Sequence, residues 1–160
     1  MQELNNGAVS PLKDLQDAMI HALEGGRLSC ALNFAADLNA NNIFFAGSGR
    51  DWHIGGTYGN SPAYMMLDDK GKNIGVWLNL EVDFDDNLFD DELRDFILNH
   101  VVVCPQSMCV SPYCDNSKNK YSLLGKEFES TCHSPIAFLN PDTATYENMK
   151  KLFLLFKLFK

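Results

Sequence analysis

The chain holds 160 residues, with 13 Lys plus Arg against 21 Asp plus Glu, a formal net charge of −8 at pH 7. Its 46% hydrophobic and 21% charged residues are the composition of a globular domain, which excludes disorder along the whole chain. The acidic balance opposes direct binding to a nucleic-acid backbone and favours a basic protein surface; no apolar run reaches the ~20 residues of a membrane span.

A single domain over residues 1–160 is expected from the length. Met1-Gln2-Glu3-Leu4-Asn5-Asn6 has neither the positive region nor the apolar core of a signal peptide, so a reducing cytoplasm is the expected compartment. Ser10-Pro11, a cap followed by a proline, predicts the first helix, with Leu12, Leu15, Met19, Ala22 and Leu23 at helical spacing and Gly25-Gly26 as its stop. A second helix is predicted from Leu28 to Leu38, with Ala31, Leu32, Ala35 and Leu38 on one face and Asn39-Ala40-Asn41-Asn42 as its break.

Ile43-Phe44-Phe45 reads as a short strand, and 47–62, rich in Gly, Ser and Asn, as a loop or irregular hairpin. Ala63–Leu67 reads as a strand, 68–72 as a turn, and Ile74, Val76, Leu78 and Leu80 alternate as the clearest strand in the chain. Leu93, Phe96 and Ile97 return to helical spacing over 90–99, and Val101-Val102-Val103 leads into a cysteine-rich subsegment at 100–133. A hairpin is predicted over 121–128 around Gly125. Asn140-Pro141 predicts the start of a last amphipathic helix with the stripe Tyr146, Met149, Leu152, Phe153 and Phe156. The expected architecture is α+β, a small antiparallel sheet with helices packed on one side.

Four groups of residues bear on chemistry. Cys104, Cys109, Cys114 and Cys132 stand within 29 residues, flanked by His100 and His133, while Cys30 stands alone in the second helix. Zinc takes four thiolate or imidazole ligands in a tetrahedron, and turn-rich loops wrap such an ion readily. No Cys-x-x-Cys pair is present, so inert buried thiols and a redox pair stand beside zinc. Glu81, Asp83, Asp85, Asp90 and Asp91 form an acidic run. It reads as a solvated face, with Asp90 and Asp91 suited to a helix N-terminus, or as a face for a basic partner. In the loop after the first strand, Arg50, Trp52, His53 and Tyr58 combine one charge with aromatics, the makeup of a small-molecule pocket. The Gly47-Ser48-Gly49 triplet lacks the third glycine and following helix of a dinucleotide fingerprint. No catalytic triad assembles: Cys132 and His133 are sequence neighbours, which turns their side chains apart.

The run His100-Val101-Val102-Val103-Cys104, then Cys109 and Cys114, then Leu124-Gly125-Lys126-Glu127-Phe128 with Cys132, then Asn140-Pro141-Asp142, resembles a family of small bacterial proteins, chiefly from Firmicutes. The likeness covers the last 60 or so residues and, more loosely, the strand around Trp77. The family's tighter cysteine cluster followed by Pro-Gly is replaced here by Asp115-Asn116-Ser117 after Cys114. The resemblance implies a shared fold and no particular activity. Three function classes follow: a noncatalytic, zinc-stabilised domain that binds a ligand or partner; an acidic inhibitor-like protein that blocks the basic nucleic-acid-binding surface of a target; and an enzyme using Cys132 or a thiol pair.

Overall fold

Alternation along two strands sets the architecture. The computed structural model describes residues 11–55, 63–78, 89–103 and 119–157, with the backbone alone at 103, 119–121, 130–135 and 156–157. In chain order the elements are α1 (Pro11–Ala22), α2 (Gly25–Ala40), β1 (Phe45–Ser48), β2 (Asp51–Ile54), β3 (Ala63–Asp68), β4 (Asn73–Leu78), α3 (Asp91–Leu98), β5 (Val101–Val103), β6 (Asn119–Leu123), β7 (Lys126–Leu139) and α4 (Thr143–Lys157). The protein is α+β. Among the described residues all strand pairs are antiparallel and run in the order β1-β2-β3-β4-β7-β5, with β6 also paired to β7.

The register builds two apolar rows across the sheet. Phe45, Ile54, Ala63, Leu78, Ile136 and Val101 stand side by side, as do Trp52, Met65, Val76 and Phe138. All but Val101 are buried, and they join Leu15, Met19, Phe34, Leu38, Ile97, Met149 and Phe153 of the helices in one core. Helix α1 packs on α2 and across β1 and β3, α2 packs on α4, and Phe96 of α3 stacks on Phe138 at 5.3 Å. Each large side chain so buried stabilises the fold by roughly 1.5–3 kcal/mol.

Three local features differ from the sequence reading, each for a local reason. The first strand begins at Phe45 because the Ile43 amide donates to the Leu38 carbonyl (2.9 Å), closing the end of α2. The segment expected to be loop contains β2. Gly49, at φ 61°, takes the first central position of a two-residue turn between Ser48 and Asp51, where a left-handed residue matches strand twist. The last helix is capped by Asp142, whose Oδ1 accepts from the Thr145 amide at 2.8 Å. Asn140 instead ends β7: its amide donates to the Ile74 carbonyl and its Oδ1 accepts from the Ile74 amide (2.8 and 3.0 Å).

Strand β7 is long because it has partners along both edges. Ile136 lies between Leu78 and Val101, and Thr131 between Val103 and Asn119. Three residues of β5 (Val101–Val103) span six of β7 (131–136), so 132–135 contain a bulge, the place in a sheet where Pro135 is tolerated.

Candidate functional site

Helices α2 and α4 face each other through matching stripes. Cys30, Asn33, Phe34 and Asp37 follow a 0, 3, 4, 7 spacing, as do Thr143, Tyr146, Glu147 and Lys150, and that spacing puts each set on one helix face. The stripes meet in order: Cys30 Sγ lies 3.4 Å from Thr143 Oγ1, the Phe34 and Tyr146 rings are 4.8 Å apart, and Lys150 Nζ donates to Asp37 Oδ2 at 2.7 Å. The residue numbers of the pairs ascend together in both helices, so the helices run parallel. Between them lies a cleft of about 230 Å³.

The cleft is apolar at its base and charged at its rim. Tyr146 is 3% exposed, and its hydroxyl has no hydrogen-bond partner among the described residues. Burial pushes this phenol well above its ordinary pKa, with a smaller push from Cys30, so it is protonated at neutral pH. At the rim Lys150 Nζ also meets Glu147 Oε1 at 2.6 Å. Its hydrogen bonds to Asp37, then Glu147, raise its pKa and hold it charged. Cys30, which stands apart from the other cysteines in the second helix, is half-buried and lines this cleft. The sequence carried the signal only as two polar positions flanking each apolar stripe.

The second candidate surface is the sheet face away from the core. Across it run Ala46, His53, Tyr64, Trp77 and Ala137, and beside them Ser48, Asp51, Met66, Gly75 and Leu139. Tyr64 and Trp77 are cross-strand partners whose rings stack at 5.0 Å and 7°. The Trp77 ring lies over the bare Cα of Gly75. Leu139 and Phe44 are 68% and 61% exposed at the margins.

Of the four residues expected to line one pocket, Trp52 and His53 lie on opposite faces of the sheet. Adjacent strand residues point to opposite faces, so Trp52 turns into the core at 2% exposure while its neighbour His53 lies on the outer face. Trp52 Nε1 donates to the Gly49 carbonyl at 3.0 Å, which makes the indole a structural clamp on the β1–β2 turn. Arg50 Nη2 reaches Met66 Sδ at 3.2 Å, and Tyr58 lies outside the described residues.

Of the acidic run, Glu81, Asp83 and Asp85 lie outside the described residues. Asp90 is the N-cap of α3, accepting from the Leu93 amide at 2.8 Å, and Asp91 stands exposed in its first turn. Cys104, Cys109 and Cys114 also lie outside, and for Cys132 and His133 only the backbone is described. His100 packs against both the Phe96 and Phe138 rings (4.6 and 4.7 Å), with Nδ1 2.6 Å from the Phe96 carbonyl oxygen. The Phe96 carbonyl can only accept, so in this contact Nδ1 is the donor. Among the described residues no three His, Cys, Asp or Glu side chains are grouped to hold a metal, and no helix is long and apolar enough to cross a membrane.

No protein-family model matches the chain, and neither a curated protein nor a solved structure matches it.

Proposed function

We propose that this chain is a noncatalytic binding domain that engages a basic protein surface through the outer face of its sheet. The observation that carries the reading is the Tyr64–Trp77 stack at the centre of that face, bordered by Met66 and by the exposed Phe44 and Leu139. Aromatic faces attract guanidinium groups, and a chain of net charge −8 draws a basic partner from a distance.

The test uses a short arginine-rich peptide, with lysine-rich and glutamate-rich peptides of equal length as controls. Arginine should bind more tightly than lysine, glutamate should not bind, and Trp77→Ala should weaken the arginine complex about tenfold. Equal binding of arginine and lysine peptides, unaffected by Trp77→Ala, would leave only nonspecific charge attraction. The same reading includes an acidic inhibitor that covers the nucleic-acid-binding surface of a target, since such surfaces are arginine-rich.

Zinc on Cys104, Cys109, Cys114 and Cys132 belongs to the same proposal as a structural staple. What supports it is that Val103 pairs with Thr131, which sets the strand leading into Cys104 beside the strand that carries Cys132. The resemblance of the cysteine-rich segment to a bacterial family assigns no activity and leaves this reading unchanged.

A further inference from the structure

Independently of the sheet face, we propose that the cleft between α2 and α4 binds a small primary amine, its ammonium held by the Tyr146 hydroxyl and the Asp37 and Glu147 carboxylates. Three observations converge on this class of ligand. The first is the unmet hydroxyl. A buried phenol without a partner costs stability that an apolar ring in its place would not, so the chain carries a destabilising group on a residue that lines a cleft.

The second is the balance of donors and acceptors. Lys150 takes one oxygen of each carboxylate, Asp37 Oδ2 and Glu147 Oε1. The other oxygen of each lies outside these two contacts and adds to the Tyr146 oxygen as an acceptor. A primary ammonium carries three N–H donors and no acceptor, which suits this set. The third is charge and size. Two carboxylates against one lysine leave the rim at −1 by formal count, which repels an anion. A volume of about 230 Å³ is smaller than the 300–1,000 Å³ typical of drug-sized ligands and fits a short aliphatic amine whose chain lies along Phe34.

The experiment titrates n-butylamine, as its ammonium, into the full chain while amide resonances of α2 and α4 are followed, with butyrate and 1-butanol as matched controls. Saturable shifts around Cys30, Asp37, Tyr146 and Lys150 should follow the amine and neither control. Tyr146→Phe keeps the ring packing, so it should fold, raise the melting temperature of the unliganded protein, and weaken amine binding about tenfold. A residue of purely structural value would not separate stability from binding in this way. No saturable amine binding, equal binding of butanol or butyrate, or undiminished binding by Tyr146→Phe would overturn the assignment.

Discussion

Gly47 and Gly75 are the residues where a single added carbon says most. A Cβ at Gly47 would overlap the Asp51 carbonyl oxygen and sit 2.8 Å from the Trp52 Cα, backbone atoms that cannot step aside without opening the β1–β2 turn. Gly47→Ala should therefore destabilise the protein by about 1–3 kcal/mol, read as a lower urea midpoint with an unchanged slope. An unchanged midpoint would show that the turn tolerates the displacement. At Gly75 the added carbon would meet the Trp77 ring, a side chain that can move. Gly75→Ala should thus leave the fold intact and displace Trp77 from Tyr64. The check is Trp77 fluorescence, which should shift while Trp52, buried against the helices, keeps its emission. At this scale the sequence was half legible. The apolar members of the strands were plain, but Trp52 and His53 looked like one aromatic cluster because β2 itself was hidden in a Gly-rich stretch. Without a recognised strand there was no alternation to separate their faces.

Among the elements, the helix caps are where charge enters stability. Asp90 caps α3 and Asp142 caps α4; Asp90→Ala should cost about 1 kcal/mol, and Asp142→Ala should lower the melting temperature, each by loss of one amide partner. Asp142 has its pKa held down by the side-chain and backbone hydrogen bonds of Thr145, and Asp68 by the Gly71 amide and the Asn73 side chain. A carboxylate whose folded pKa is lowered adds stability above its unfolded value, near 3.9, and loses it as pH falls through the folded value. The melting temperature should hold down to about pH 4 and then fall, and Asp68→Asn with Asp142→Asn should flatten that fall. A decline equally steep in the double variant would place the acid-sensitive groups elsewhere. Elements were legible where periodicity was strong, as in α1, β3, β4 and α3. The start of α4 was misplaced because Asn140-Pro141 has the chemistry of a cap. Only tertiary structure shows that Asn140 spends its side chain on Ile74 and Asn73, leaving the role to Asp142.

For the whole molecule, the helices gather on one face and leave a second face whose centre is aromatic. The sequence conveyed the α+β class and the acidic charge, but neither surface that the fold presents. The α2–α4 cleft depends on two helices separated by more than 100 residues, and the Tyr64–Trp77 stack on a register that pairing alone fixes. Zinc is checked at this scale by elemental analysis of protein purified without added metal: one equivalent is expected, reduced in Cys→Ser variants of Cys104 and Cys132, with lower stability on removal. Absence of the metal would return those thiols to a structural role. The central claim, a basic partner on the outer sheet face, is tested most directly by the methionine methyl resonances. Met65 and Met66 are neighbours in β3, yet Met65 is fully buried in the core and Met66 lies on the outer face beside Arg50. Titration with the arginine-rich peptide should shift the Met66 methyl signal to saturation, more weakly as salt rises, and leave Met65 in place. A Met65 shift of equal size, or a Met66 signal that does not move while the peptide binds, would contradict the assignment of this face.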